Sequence, residues 1–267
     1  ALGTGGHTTT VADGAALEIQ DGIAVGQGLT LNGAGVAGSG SLRSLGGTNT
    51  WNGNIAMNAA TIGVDSGVLT LSGQMSGSGA FAKTGAGMLV LAGDNSYEGP
   101  LTVEAGVVNI RHDHALGAIG QGTTVAAGAT LEVQGGITVG DGLSLHGLGL
   151  ADAGALRSLS GDNVWNGDVS LDSTRIAVDS DTLTITGQLS GSSGLRKAGA
   201  GTLVLTAAST YTGETVVRAG RLRLAGGHDR LNTAGTVWLQ GGTLELDGQN
   251  QTISKLTIAG SGRVELD

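Results

Sequence analysis

Several residue types are scarce in this chain of 267 residues, and each shortage excludes a class of structure or chemistry. There is no cysteine, which excludes disulfides, thiolate metal sites and cysteine nucleophiles. Aromatic residues make up 2% of the chain, too few for a conventional globular core. No apolar run approaches the ~20 residues that span a membrane as a helix. The net charge of -9 opposes binding to phosphate backbones, so we expect no nucleic-acid partner.

Glycine and small aliphatic residues take the place of the missing types. The 52 glycines follow no three-residue period and there is one proline, which excludes collagen. Charged residues are 13% of the chain and β-branched residues are frequent, which excludes a disordered composition.

The chain contains an internal duplication. Trp51 returns as Trp165 and Tyr97 as Tyr211, each 114 residues later, and the two copies align without a gap. The self-similarity predicts three units in one array: a first over 1–114, a second over 115–228 and a partial third over 229–267.

Short alternating runs such as LTL, TIGV and VLTL recur along the chain, separated by Gly, Asn, Asp or Ser. These are strand and turn signals, and no segment has a sustained helical period. Such short strands bury too little surface as hairpins, but they stack well as successive coils of a solenoid. Equivalent strands recur every ~20–25 residues. We predict an all-β, right-handed parallel β-helix and disfavour the rival architecture, a pair of β-sandwiches.

One segment of each copy resembles a known family. The segments GAGMLVLAGDNSYEGPLTVEAGVV and GAGTLVLTAASTYTGETVVRAGRL resemble the autotransporter-associated β-strand repeat. The second copy has Ala208 and Ser209 in place of Asp94 and Asn95. The resemblance implies a right-handed β-helical passenger, carried to the bacterial surface through a C-terminal outer-membrane β-barrel. It therefore implies a location at the cell surface, either anchored to the outer membrane or secreted.

Two patterns could carry a cofactor or a metal. The run GAGVAG at 33–38 matches a dinucleotide fingerprint, but no helix or βαβ unit follows, so we interpret it as corner glycines. His112 and His114 would share one face of a strand, yet no third ligand lies near them in the sequence. We therefore predict no cofactor and no metal site.

Catalytic groups are weakly indicated. Asp65-Ser66 recurs as Asp179-Ser180, and we interpret both pairs as turn residues because no G-x-S-x-G motif is present. A polysaccharide-cleaving β-helix enzyme would need paired carboxylates, and the spacing offers two candidate pairs, Asp179 with Asp181 and Asp162 with Asp168. Duplication of a whole unit at constant length argues against one unique active site, so we predict no catalytic activity.

The most distinctive polar-aromatic motifs are Trp51-Asn52-Gly53 and Trp165-Asn166-Gly167. Asn-Gly favours a tight turn, and the tryptophan either covers the end of a coil or stacks on a sugar or partner. The predicted binding residues are Trp51, Asn52, Trp165 and Asn166.

Three functions are open at this point. The first, which we predict, is an adhesin or self-associating passenger whose polar ladders bind a second copy or a host or matrix surface. The second is a passive stalk that displays a separate catalytic domain, and the third is a polysaccharide-cleaving enzyme.

Overall fold

The structure, a computed structural model, describes residues 7–266, and the chain forms two compact units, residues 1–131 and 132–267. Both units consist of short strands joined by turns. The only helical elements of the described residues are two 3-10 turns, Val36–Gly38 and Leu150–Asp152. No helix within 7–266 is long and apolar enough to cross a membrane.

The first unit contains fourteen strands and the start of a fifteenth. Their bounds are β1 Thr8–Val11, β2 Leu17–Gln20, β3 Ala24–Val25, β4 Gly28–Gly33, β5 Leu42–Gly46, β6 Thr48–Trp51, β7 Ile55–Val64, β8 Val68–Leu71, β9 Met75–Gly77, β10 Phe81–Thr84, β11 Met88–Leu91, β12 Leu101–Val103, β13 Val107–Ile110, β14 Thr123–Val125 and β15 Thr130–Gln134.

The described part of the second unit contains the remaining sixteen strands. Their bounds are β16 Thr138–Val139, β17 Leu143–His146, β18 Leu156–Ser160, β19 Asn163–Trp165, β20 Val169–Asp172, β21 Thr174–Val178, β22 Thr182–Ile185, β23 Leu189–Ser190, β24 Leu195–Ala198, β25 Thr202–Leu205, β26 Thr215–Val217, β27 Arg221–Leu224, β28 Thr236–Leu239, β29 Thr243–Glu245, β30 Lys255–Ile258 and β31 Arg263–Glu265.

The strands pair in parallel with strands one turn away along the chain. In the first unit, one sheet runs β1-β4-β7-β10-β12-β14 and another runs β3-β6-β8-β11-β13. In the second unit the orders are β17-β20-β23, β18-β21-β24-β26-β28-β30 and β16-β19-β22-β25-β27-β29-β31. Met88 pairs with Val107, whereas Gly33 pairs with Ala60, so one turn takes 19–27 residues.

Each unit is therefore a parallel β-solenoid, which confirms the predicted fold class and excludes the antiparallel β-sandwiches. The predicted repeat boundaries, 1–114, 115–228 and 229–267, stay predictions. Residues 1–6 and 267, which belong to the predicted first and third units, lie outside the described residues.

The core follows from alternation within the strands. Along β8 the burial alternates, with Leu69 and Leu71 buried and Val68 and Thr70 half-buried. Leucine, isoleucine and valine supply most of the interior, because stacked coils leave a narrow space that these side chains fill. Five of the six aromatic side chains also lie in the core, at 1% exposure or less: Trp51, Phe81, Tyr97, Trp165 and Tyr211.

A bulge lets β7 extend over ten residues without a loop. Asn32 of β4 pairs with Asn58, but the next residue, Gly33, pairs with Ala60, so Ala59 is an extra residue. Ala59 has a φ of 51°, in the left-handed region. The extra residue shifts which side chains point inward along β7.

Candidate functional site

The Trp-Asn-Gly motif is a packing device between consecutive turns. Trp51 is 0% exposed, and its indole N–H donates a 2.9 Å hydrogen bond to the Gln27 carbonyl. A Cβ on Gly53 would lie 1.8 Å from the same carbonyl oxygen. Trp51 therefore hydrogen-bonds the backbone of the neighbouring turn, and Gly53 leaves the space that this backbone occupies.

The second copy of the motif has the same geometry. Trp165 is 0% exposed and donates a 2.8 Å hydrogen bond to the Asp141 carbonyl, which lies 1.9 Å from a Cβ built on Gly167. Enclosed indoles offer no face on which a sugar or partner can stack. The prediction that Trp51 and Trp165 bind a ligand is therefore wrong, because packing uses both faces of each ring.

Asn52 and Asn166, by contrast, are exposed. The Asn52 carbonyl oxygen accepts a 2.7 Å hydrogen bond from the Ser72 hydroxyl, and the Asn166 oxygen accepts one of 2.8 Å from Thr186. Each asparagine thus begins a polar row that continues onto the next turn. Binding through Asn52 and Asn166 stays a prediction.

Asp65, a candidate catalytic carboxylate, belongs to an ion-pair cluster. Arg43 reaches Asp65 at 2.7 Å and Glu18 at 3.1 Å, so it links strands on three turns. The hydrogen bond to Asp65 is the largest cause that raises the pKa of Arg43. Ser66 donates instead to the Leu45 carbonyl, at 3.0 Å.

Asp179 has the same role in the second unit. Arg157 contacts Asp179 at 2.6 Å and Glu132 at 3.2 Å, and the bond to Asp179 is the main cause that raises the pKa of Arg157. Ser180 donates to the Leu159 carbonyl, at 3.0 Å. Both Asp-Ser pairs thus make cross-turn contacts, each aspartate with an arginine and each serine with a backbone carbonyl.

The other candidate carboxylates accept backbone hydrogen bonds. Asp181 accepts a 2.8 Å bond from the Gly161 N–H, which is the main reason that the pKa of Asp181 is lowered. Asp168 accepts one of 2.8 Å from the Gln188 N–H, and Asp162 is exposed. A general acid needs a raised pKa, so Asp181 does not have the character of one.

The glycine run at 33–38 turns a corner, as predicted. Its last three residues form the 3-10 turn Val36–Gly38, and no α-helix follows in the described part of the chain. Gly35 has a φ of 76°, and a Cβ there would lie 2.1 Å from the Gly40 carbonyl oxygen. The run therefore lacks the helix N-terminus that a dinucleotide site requires.

Sequence analysis missed two buried lysines, one in each copy. Lys83 and Lys197 are both 0% exposed. Lys83 Nζ donates to the carbonyls of Gly85 (2.6 Å) and Ala105 (2.9 Å), and Lys197 Nζ donates to Ala198, Gly199 and Ala219. Desolvation lowers the pKa of each lysine to about 8. The sequence signal that could have found them is a lysine two residues before a Gly-Ala-Gly run, which occurs at the same place in both copies.

The structure also brings a third polar group to the histidine pair. His112 and His114 lie just after β13, and Asp94 lies just after β11, the strand that pairs with β13. Asp94 Oδ1 is 2.8 Å from His114 Nδ1 and 3.8 Å from His112 Nδ1. One turn of the solenoid separates Asp94 from His114 in the sequence.

These contacts define the protein as a parallel β-solenoid whose successive turns are joined by side-chain hydrogen bonds and ion pairs. Comparison with known proteins identifies the type of sequence repeat that it contains. The family described as passenger-associated-transport-repeat matches residues 81–110 and 195–224. These segments contain β10–β13 and β24–β27, including both buried lysines. No curated protein and no solved structure matches the chain.

The predicted resemblance to autotransporter passengers is therefore confirmed by two repeats within a parallel β-solenoid. The repeat and the fold support a passenger domain. Such a family implies a secreted or surface-exposed protein.

Proposed function

We propose that this segment is an adhesive or self-associating passenger at the bacterial surface, which acts by contact and without turnover. The observation that supports this proposal is a set of short polar side chains that lie in register on successive turns. Ser144, Ser170 and Ser190 pair in sequence across β17, β20 and β23. Asn58 donates a 3.0 Å hydrogen bond to Asn32 on the preceding turn.

These rows suit weak, repeated contacts with another surface. Short side chains that lie one turn apart present donors and acceptors at the ~4.8 Å strand spacing. Each hydrogen bond contributes roughly 1 kcal/mol, so affinity would come from many bonds along the row. The net charge of -9 opposes contact between copies, and salt near 0.15 M shortens that repulsion to about 8 Å.

The carboxylate contacts weigh against the enzymatic alternative. Asp65 and Asp179 are bound by arginine, and Asp168 and Asp181 by backbone N–H groups. A passenger-repeat solenoid is consistent with a non-catalytic segment. The passive stalk remains the alternative that the experiment must distinguish.

The test is display of the segment on a non-aggregating bacterium, scored by settling, biofilm growth and adhesion to matrix-coated surfaces. The ladder variant combines Asn52→Lys, Asn166→Lys and Ser170→Lys at exposed positions. The control carries the same added charge at exposed turn positions, as Ser192→Lys, Ala208→Lys and Thr210→Lys.

We expect the unmodified segment and the control to clump or adhere, and the ladder variant to lose this behaviour at equal display. Both variants become less negative, so net repulsion cannot explain a loss confined to the ladder variant. Cells that neither clump nor adhere would favour the stalk. Equal activity of both variants would exclude these rows as the contact surface.

A further inference from the structure

The strongest unassigned cluster of side chains is formed by Asp94, His112 and His114. Each offers one ligand atom, and the three atoms lie within 4.8 Å of one another. The two imidazoles are 5.8 Å apart between ring centres, at an interplanar angle of 62°, so they converge on Asp94 from different directions. The site bridges two consecutive turns of the first unit.

The distances fit a small transition-metal ion. In a tetrahedral zinc site with bonds near 2.0–2.1 Å, ligand atoms lie about 3.3 Å apart. The two separations from Asp94 Oδ1, 2.8 Å and 3.8 Å, lie on either side of that value, and all three ligand atoms lie within 4.8 Å of one another. The side chains are 39–65% exposed, so they have room for the small rotations that metal coordination requires.

Hydrogen bonding already prepares one imidazole. The backbone N–H of His114 donates to His112 Nδ1 at 3.2 Å, which requires that nitrogen to be unprotonated. A metal bound at Nδ1 needs the same lone pair and therefore replaces this contact, which is exposed to water. Exposure also leaves room for water or another ligand to complete the coordination shell.

We propose that Asp94, His112 and His114 form a binding site for a divalent transition-metal ion such as zinc. Two imidazoles and one carboxylate match the ligand preferences of zinc, nickel and copper, whereas calcium and magnesium prefer oxygen ligands alone. The bound ion joins the turn after β11 to the turn after β13. This inference does not depend on the proposed adhesive function.

The duplication supplies an internal comparison. The equivalents of Asp94, His112 and His114 in the second copy are Ala208, Gly226 and His228, so only one ligand persists. The second copy is therefore not built to hold the ion, and we expect one site per chain.

The experiment is calorimetric titration of the intact protein with zinc chloride, together with thermal unfolding with and without zinc. We expect one zinc per chain and a higher Tm with zinc. Asp94→Ala, which copies the residue of the second unit, and His112→Asn should each weaken binding about tenfold or more. His146→Asn is the matched control, because His146 contacts a single carboxylate, Asp172, at 3.1 Å.

The control should bind zinc as the unmodified chain does. Circular dichroism shows whether the variants stay folded, which their exposed positions favour. The proposal is overturned if the unmodified chain binds no zinc at millimolar concentration. It is equally overturned if folded Asp94→Ala and His112→Asn variants bind with unchanged affinity.

Discussion

Because of the buried lysines, we expect the free energy of unfolding to change with pH in the alkaline range. Desolvation lowers the pKa of Lys83 and Lys197 from the ordinary 10.5 to about 8 in the folded state. Between these values the unfolded chain holds protons that the folded chain has released, so stability rises with pH. Below about pH 8 both states are protonated and the folded state bears the whole cost of the buried charges.

We therefore expect the free energy of unfolding to increase from pH 8 to pH 10, by up to roughly 3 kcal/mol per lysine. Denaturant titrations across this range measure the effect. The comparison is a chain with Lys83→Met and Lys197→Met, which should lose most of the pH slope. An equally steep slope in that variant would show that other groups cause it.

Gly53 and Gly167 are required because a neighbouring carbonyl occupies the space of a side chain. Gly53→Ala or Gly167→Ala should each lower the free energy of unfolding by about 1–3 kcal/mol. Gly26 and Gly142 are matched controls, since no described atom lies within 4 Å of a Cβ there and neither has a positive φ. Alanine at the control positions should change stability by less than about 1 kcal/mol, or increase it slightly. Similar losses at all four positions, in thermal or denaturant unfolding, would contradict this account.

The buried asparagine Asn95 also joins successive turns. Asn95, 4% exposed, accepts a 2.8 Å hydrogen bond from the Met75 N–H and donates one of 2.7 Å to the Ala115 carbonyl. Its equivalent in the second copy, Ser209, is also buried, but its hydroxyl has no hydrogen-bond partner among the described residues.

Asn95→Ser should therefore destabilise the protein by about 2 kcal/mol, because two buried backbone groups lose their partner. Ser209→Ala should be neutral within about 0.5 kcal/mol. Equilibrium unfolding of the two variants gives both values. A neutral Asn95→Ser would mean that the asparagine does not join the turns. A costly Ser209→Ala would mean that the Ser209 hydroxyl makes a stabilising contact.

Strand existence and parallel stacking could be predicted, because short alternating runs and corner residues are local signals. The exact strand bounds could not. Ala59 looks like an ordinary residue in IAMNAATIGV, and its left-handed conformation depends on pairing with β4. The burial of Trp51 also depends on another turn, since its hydrogen-bond partner lies 24 residues earlier.

The candidate metal site shows the same limit. Its histidines are neighbours in the sequence, but Asp94 becomes the third group only when the turn length is known to within a residue or two. An estimate of 20–25 residues per turn could not place it opposite His114. The 20-residue separation recorded in the structure does so.

We expect Trp51 and Trp165, which occupy equivalent positions in the two copies, to have the same environment. Trp51 and Trp165 are both fully buried with a carbonyl partner, whereas Trp238 is 37% exposed. Three single-tryptophan chains, made with Trp→Phe changes, allow each to be measured by fluorescence. The Trp51 and Trp165 chains should emit at similar, short wavelengths, and the Trp238 chain at a longer one. Clearly different maxima for the first two would refute the equivalence.

The short interval between paired strands has a kinetic consequence. A strand finds its partner one turn earlier, so the loop that must close contains 19–27 residues however much of the unit is already folded. Loop-closure entropy is then a fixed small increment per step, and contacts between remote parts of the sequence are not required to begin. The last completed turn acts as a template for the next. Each unit can consequently fold as an advancing front, in the order in which its chain becomes available.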